Sequence, residues 1–333
     1  MIKTLIVDDS HLVRSIIRDF LASDGSFNII GEAENGQEGV NKARELNPDL
    51  VTMDIEMPVM NGLNATAEIR KFSSCAIVVI STHDTAKMAY DATVNGAHEF
   101  FSKDIFTSQM NDRQREEIFQ TLKQITSIKK KIFLRQTEKK DSTSPRKINC
   151  TVIAASTGGP VALCQLCSEL PKNFPVPVLL VQHNTSGFDK GFVQWLNGYS
   201  PLNVQLAEKG IVPSKGNIYV APTDRHLIIN GGILAFDDGE PILNQKPAAD
   251  MLFKSAAAMF GNSLVSVVLT GMGKDGAEGT RYVKQAGGIT IAQDEASSMI
   301  YGMPQAAAET GCVDFVLPLN EIAKKLISLS KQE

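Results

Sequence analysis

Two α/β domains, the first doubly wound and the second with a mostly parallel sheet, are predicted for this chain by three observations. Short apolar runs recur, and each stops abruptly at a polar residue. Stretches with apolar residues at helical spacing fill the intervals. A polar, basic segment divides the series into two halves. The length of 333 residues agrees, because it exceeds what one hydrophobic core usually serves, and a hydrophobic content of 43% is ample for two.

The first half is placed at residues 1–124. Leu5-Ile6-Val7 reads as a strand ending at Asp8-Asp9-Ser10, and Val13, Ile16, Ile17, Phe20 and Leu21 follow at helical spacing. Leu50-Val51-Thr52-Met53 ends at Asp54, Ala76 to Ile80 ends at Ser81, and Glu99 to Ser102 ends at Lys103. Parallel sheets bind their ligands at the carboxyl ends of the strands. Three carboxylates, a hydroxyl and a lysine are therefore expected along one edge. Asp8, Asp9 and Asp54 suit a hard divalent cation such as Mg2+. With its charge partly neutralised, Asp54 can attack a phosphoryl group and form an acyl phosphate, while Lys103 and Ser81 hold the phosphoryl oxygens. Acidic residues also collect at solvated strand ends without any chemistry, but four strand ends carrying five matching residues in order argue against accident.

In Leu5-Ile6-Val7-Asp8-Asp9-Ser10, Met53-Asp54-Ile55-Glu56-Met57-Pro58 and Asn61-Gly62, this half resembles the receiver domain of two-component response regulators. The resemblance implies a flavodoxin-like fold, Asp54 as phosphoacceptor and Asp8, Asp9 and Asp54 as the Mg2+ site. It also implies Ser81 as the switch hydroxyl, Phe100 as the switch aromatic, Lys103 beside them, and a histidine kinase as phosphodonor. Asp104 follows Lys103 where that family usually has proline, so the path of this loop is left open.

Residues 125–147 are assigned to a basic, flexible connector. Helix formers without Gly or Pro run from Asn111 to Gln136, and Ile118, Leu122, Ile125 and Ile132 share a stripe, so the last helix of the first domain is free to run on. Lys129-Lys130-Lys131 then raises the charge, and Thr137 to Pro145 is polar. Net charge is −6 over residues 1–103, +5 over 104–147 and −3 over 148–333. An acidic partner or a membrane surface is one reading of the basic cluster; a solvated connector is the simpler one.

The second half is placed at residues 148–333. Thr151 to Ala155 reads as a buried strand that stops at Ser156-Thr157, and Gly158-Gly159-Pro160 turns the chain into a helix, with Pro160 suited to its first position. A serine between a strand end and a helix N-terminus is surrounded by free N–H groups able to stabilise an oxyanion, although it can equally be a plain helix cap. Val176 to Val181 delivers Gln182-His183, Leu264 to Leu269 delivers Thr270 to Gly276, and Ile289 to Ala292 delivers Gln293-Asp294-Glu295. A helix is expected over Met251–Phe260 with Gly261 as its C-cap, and a hairpin at His226–Ile229 and Ile233–Phe236 around Asn230-Gly231-Gly232. Ser156 as nucleophile, His183 as base and Asp275 as its orienting acid make a hydrolytic set, with N–H groups near Thr157 and in Gly271-Met272-Gly273 for the oxyanion. On spacing alone, His226 and Asp294 are rivals for base and acid.

Ala155-Ser156-Thr157-Gly158-Gly159-Pro160, Val181-Gln182-His183, Leu269 to Gly276, Ile291 to Glu295 and Tyr301-Gly302-Met303-Pro304 resemble the catalytic domain of the chemotaxis protein-glutamate methylesterases. The resemblance implies a triad of Ser156, His183 and Asp275, Met272 N–H in the oxyanion site, and a phosphorylation-activated esterase that needs no cofactor in this domain. Its substrates would be γ-glutamyl methyl esters of methyl-accepting chemoreceptors, with deamidation of receptor glutamines as a related activity. It also implies that the resting receiver obstructs catalysis. Two segments depart from the family pattern, Asn184-Thr185-Ser186 after His183 and Asn244-Gln245-Lys246-Pro247, which puts receptor preference in question more than the chemistry.

A response regulator whose second half only binds a ligand, such as a nucleotide at Ser156-Thr157-Gly158-Gly159, is the rival from another class. The chain lacks the Gly-Lys-Ser/Thr ending of a phosphate loop. Neither half carries the basic face of a nucleic-acid reader, and no apolar run approaches bilayer length, so neither nucleic-acid binding nor membrane insertion is expected. Five cysteines without framework spacing and an early first strand without a leader suit a cytoplasmic protein. Cys164 and Cys167 lie one helical turn apart with no second pair to complete a zinc site, and are expected to pack.

Overall fold

The computed structural model describes residues 1–82, 86–106, 110–127 and 147–330. The chain divides into two compact units, Met1–Lys129 and Lys130–Glu333.

The first unit runs β1 (Ile2–Val7), α1 (His11–Ala22), β2 (Phe27–Ala33), α2 (Gly36–Leu46), β3 (Leu50–Asp54), α3 (Gly62–Arg70), β4 (Ala76–Ser81), α4 (Ala86–Val94), β5 (Glu99–Ser102) and α5 (Asp112–Ser127). Its five strands pair in parallel in the order β2-β1-β3-β4-β5. This is the flavodoxin-like order, in which the chain reverses direction between β1 and β3 and opens a crevice there. Polar side chains start the helices: Ser10 Oγ accepts from Val13 N at 3.4 Å, Asn35 Oδ1 from Glu38 N at 2.9 Å and Asn61 Oδ1 from Asn64 N at 2.9 Å. One face of the sheet buries Ile6, Val78 and Ile80 against Ile17, Phe20 and Leu21 of α1 and Ile118, Phe119 and Leu122 of α5. α5 runs to Ser127 with Ile125 buried, three residues beyond the boundary expected at 124; the rest of the connector up to residue 146 lies outside the described residues.

The second unit runs β6 (Cys150–Ala155), α6 (Gly159–Ser168), β7 (Val178–Gln182), α7 (Asp189–Asn197), β8 (Asn203–Leu206), β9 (Asn217–Val220), β10 (His226–Asn230), β11 (Ile233–Asp237), α8 (Ala249–Phe260), β12 (Leu264–Val268), α9 (Ala277–Gln285), β13 (Ile289–Gln293), α10 (Met303–Glu309), β14 (Phe315–Leu317) and α11 (Leu319–Ser330). Seven strands form one sheet in the order β14-β13-β12-β6-β7-β9-β8, parallel at every pairing. The chain lays β7, β8 and β9 to one side of β6 and then returns to place β12 on the other. β6 thus sits at the topological switch point, where such sheets bind ligands. β6, β7 and β12 are buried along their whole length and are apolar apart from Thr151, Gln182 and Ser266, as strands covered on both faces require.

Several elements differ from expectation. β2, β8, β9 and β14 were not among the expected strands. β2 carries Asn28, Gly31 and Glu32 on a mostly half-exposed edge, and the other three are only 3–4 residues long. The hairpin is a separate two-stranded antiparallel sheet whose loop is Gly231-Gly232 alone, because Asn230 pairs with Ile233. Pro160 stands second in α6, behind Gly159, and Gly158 at φ 74° is the N-cap. The helix expected from Met251 begins two residues earlier, at Ala249.

Candidate active site

In the first unit, Asp8 follows β1 and Asp54 ends β3, the two strands that flank the crevice. Both carboxylates are buried, and Lys103 Nζ bridges them, 3.0 Å from Asp8 Oδ2 and 2.8 Å from Asp54 Oδ2. Burial pushes the Asp54 carboxyl up to about 6; the Lys103 hydrogen bond opposes this and the Asp8 charge adds to it. Burial also works against the Lys103 charge, but Asp54 and Asp8 outweigh it and hold the ammonium above its usual range. One lysine is thus set against two buried carboxylates and the exposed Asp9. Oxygens of Asp8, Asp9 and Asp54 all lie within 4.8 Å of one another. This all-oxygen set with excess negative charge fits Mg2+.

Ser81 closes β4, buried, with Oγ donating to Thr82 O at 3.2 Å. Phe100 is buried in β5, edge-on to Tyr90 at 4.7 Å between ring centres. After Lys103 the chain makes a short 3-10 turn to Phe106, and the Asp104 carboxylate accepts from Ser102 Oγ at 3.2 Å. A residue not singled out in the sequence, Arg14, is 4% exposed in α1 and holds the loop that carries the acidic pair. It donates to Asp8 O at 2.8 Å and Asp9 O at 3.4 Å and pairs with Glu32 and Glu34.

In the second unit, β6 and β7 pair in register up to Ala155 opposite Gln182, and His183 N donates to Ala155 O at 3.0 Å. The next residues out, Ser156 and His183, therefore stand on neighbouring strand ends, where strands run about 4.8 Å apart. His183 Nε2 lies 2.8 Å from Asp275 Oδ2, and its Nδ1 is buried with no hydrogen-bond partner among the described residues. Asp275 follows β12, on the far side of β6, and is 2% exposed. Burial alone would raise its pKa. The bond and charge of His183, together with the N–H groups of Ala249 at 2.6 Å and Asp250 at 2.9 Å, outweigh burial and hold it below the usual carboxylate range.

The rival base and acid are occupied elsewhere. His226 Nδ1 accepts from Ala248 N at 3.1 Å and its Nε2 donates to Glu240 O at 3.0 Å, so the ring braces the segment that leads into α8. Asp294 Oδ1 accepts from Ser297 N at 2.9 Å and Ser297 Oγ at 2.6 Å, closing its own turn.

Side chains at the strand ends stitch the loops together. Gln182 Nε2 donates to both Ser156 O at 3.1 Å and His183 O at 2.9 Å. Thr270 N donates to Gln293 Oε1 at 2.8 Å, and Thr270 Oγ1 to Thr157 O at 3.0 Å. Gly271 N and O bond Ile300 O and Met303 N at 3.0 and 2.9 Å, fastening the loop that bears Met272 to the Tyr301-Gly302-Met303 segment. Gly271 passes so close to Ser156 that a Cβ there would stand 2.7 Å from the serine Cβ. The two segments that depart from the family pattern meet at Asp224, whose carboxylate accepts from Ser186 Oγ and whose N–H donates to Lys246 O at 3.1 Å. Burial pushes the Cys167 thiol up to about 12, with the Cys164 charge adding to it, and also raises the Cys164 thiol, so the pair packs and is not a reactive dithiol.

Residues 151–326 match the family model described as CheB methylesterase, and residues 4–115 that of the response regulator receiver domain. The protein-glutamate methylesterase/protein-glutamine glutaminase of Clostridium acetobutylicum is 39% identical over 339 residues, covering 98% of this chain and 97% of that protein. Its counterpart in Pyrococcus abyssi is 37% identical over 342 residues, covering 98% and 93%. The crystal structure of the Thermotoga maritima CheB methylesterase catalytic domain matches with a TM-score of 0.53 and 40% identity, covering 55% of this chain and all of that one. Fold and relatives together define a response regulator with an enzymatic output domain. The chain belongs to the CheB methylesterase family.

Proposed function

We propose that this chain is a phosphorylation-activated protein-glutamate methylesterase that removes γ-glutamyl methyl esters from chemoreceptors in the cytoplasm during chemotactic adaptation, with receptor glutamine deamidation as a second activity of the same site. The observation that carries the esterase is the 2.8 Å contact of His183 Nε2 with Asp275 Oδ2, beside the strand end that bears Ser156. Asp275, kept as a carboxylate, accepts the Nε2–H and so leaves the lone pair on Nδ1. Nδ1 takes the proton of Ser156 Oγ as that oxygen attacks the ester carbonyl carbon. Backbone N–H groups of Thr157 and Met272 stabilise the oxyanion. Nδ1 then passes the proton to the departing methoxide, which leaves as methanol. A water molecule, deprotonated by Nδ1, attacks the acyl-serine and restores Ser156 while freeing the glutamate carboxylate. With a glutamine side chain the leaving group is ammonia.

Control lies in the first unit, with a chemotaxis histidine kinase as phosphodonor and Asp54 as the attacking carboxylate. Asp8, Asp9 and Asp54 would hold Mg2+, which when bound neutralises the carboxylates and the incoming phosphoryl oxygens. Lys103, already on Asp54, moves onto a phosphoryl oxygen, and Ser81 supplies a hydroxyl to another. Those new bonds draw on β4 and β5, where Phe100 packs, and bias that region towards a second arrangement. Methanol release from methyl-esterified receptors by the full-length chain, with and without a small acyl-phosphate donor and Mg2+, tests both parts. Release that the donor accelerates, and that Asp54→Ala no longer lets it accelerate, is the expected result. No methanol under either condition would leave a binding module instead, and a donor without effect would remove the control.

A further inference from the structure

Helices α8 and α9 both begin without a cap of their own. Ala248 precedes α8 and Gly276 precedes α9, and neither has a side-chain acceptor to offer the first N–H groups. The two helices exchange caps instead. Asp275, just ahead of α9, accepts the N–H groups of Ala249 and Asp250 at the start of α8, at 2.6 and 2.9 Å. Asp250, second residue of α8, accepts those of Gly276 and Gly279 at the start of α9, at 2.9 and 2.6 Å, both on Oδ1. Gly276 N–H is shared, since Asp275 Oδ1 also lies 3.0 Å from it.

We propose that Asp250 is a positioning residue of the hydrolytic site: by pinning the start of α9 it holds the Asp275 carboxylate against His183. The proposal rests on Ser156, His183 and Asp275 being the hydrolytic group. Gly273 and Gly276 on either side of Asp275 both take positive φ, 84° and 90°, which lets the loop turn its carboxylate towards the start of α8. The bonds to Asp250, Ala249 and the Gly279 N–H tie this turn to the start of α8. Without Asp250, the N–H of Gly279 would lose its acceptor and that of Gly276 would be left to Asp275 Oδ1 alone. Drawing that oxygen towards α9 turns Oδ2 away from His183 Nε2.

Two buried carboxylates side by side would repel each other. Each is tolerable here because it faces the positive end of the helix opposite. Burial and the Asp275 charge nonetheless push the Asp250 carboxyl up to about 6, against the bonds from Gly279 and Gly276. A carboxylate kept in a buried site against its own desolvation is expected where the geometry of a reacting group is being held.

The test is steady-state methanol release by the full-length chain carrying Asp250→Ala, Asp250→Asn, Asp275→Asn, the Asp250→Ala/Asp275→Asn pair, and Ser156→Ala as a control. Asp250→Ala is expected to lower kcat roughly 10–100-fold while KM moves less than about threefold, since geometry and not binding is lost. Asp250→Asn keeps an acceptor oxygen and should recover most of that loss. In the Asp275→Asn background, Asp250→Ala should cost less than about twofold, because the residue through which it acts is already changed. Should Asp250→Ala lose its fold by circular dichroism, Asp250→Ser takes its place in the same scheme. An Asp250→Ala enzyme with parental kcat while Ser156→Ala is inactive would overturn the proposal alone. So would a loss that multiplies with Asp275→Asn, or one that Asp250→Asn does not relieve. A Ser156→Ala enzyme that still turns over would overturn the hydrolytic group itself, and the proposal with it.

Discussion

His183 and Asp275 meet at 2.8 Å although 92 residues separate them, and they do so across β6, the strand that Ser156 follows. The same carboxylate closes the N-terminus of α8, so its charge is fixed in place by the fold before any substrate arrives. Asp275→Asn should therefore affect two things at once. Loss of the charge that fixes the imidazole tautomer should lower kcat/KM about 10²–10³-fold, less than loss of the nucleophile. Weakening of the cap should lower stability by about 1 kcal/mol. Kinetics and urea unfolding on the same preparation check both, and a variant with parental kcat/KM would detach Asp275 from the chemistry.

Gly271→Ala probes how tightly the loops are joined. Its Cβ would meet Met303 Sδ, the far part of a flexible side chain, at 2.4 Å and Ser156 Cβ at 2.7 Å, and the Ser156 backbone is held by its N–H bond to Thr270 O. Displacing Ser156 by a fraction of an ångström to 1 Å should lower kcat by about 10²-fold or more. Overpacking should cost about 1–3 kcal/mol. Activity within about threefold of the parent would mean that the nucleophile tolerates movement, contrary to the geometry described.

Asp54 gives a pH-dependent prediction. Its carboxyl in the folded chain, at about 6, lies above the ordinary 3.8, with burial the main cause. The folded state therefore holds this proton more tightly than the unfolded one, and stability is lost as pH rises from about 4 to about 6. Asp54→Asn removes the buried charge. In metal-free urea titrations it should be more stable than the parent above pH 6, by on the order of 2 kcal/mol, with the difference closing towards pH 4. The single tryptophan, Trp195, lies in the second unit, so its fluorescence reports that unit while circular dichroism adds the first. An Asn variant no more stable than the parent at pH 7.5 would mean that Lys103 already neutralises the pocket.

The positions of Asp54, Ser156, His183 and Asp275 are legible in the sequence for one physical reason. Each ends or closely follows an apolar run, and a strand buried on both faces must stop where a polar group first needs a partner. The edge strand β5 is legible, but β2, β8, β9 and β14 are not; β2, with Asn28 and Glu32, lacks both an apolar run and a clean alternation. Asp250 is hidden differently. An acidic residue in the first turn of a helix is the ordinary complement of the helix dipole, and only a partner 26 residues away shows it to be bonded to another helix. Arg14 likewise reads as a solvent-facing helix residue, yet its guanidinium is buried on the acidic loop. Spacing alone does not separate His226 and Asp294 from His183 and Asp275; the structure does, by bonding His226 to Ala248 and Glu240 and Asp294 to Ser297 while His183 meets Asp275.

The most direct test of the hydrolytic reading is single-turnover and steady-state methanol release from a methyl-esterified receptor by the full-length chain and its Ser156→Ala variant, each checked for native fold by circular dichroism. The parent should release methanol, and Ser156→Ala should release it at least about 10⁴-fold more slowly with its fold intact. Methanol release by folded Ser156→Ala at near the parental rate would contradict the account, since no attack through that oxygen would then be needed.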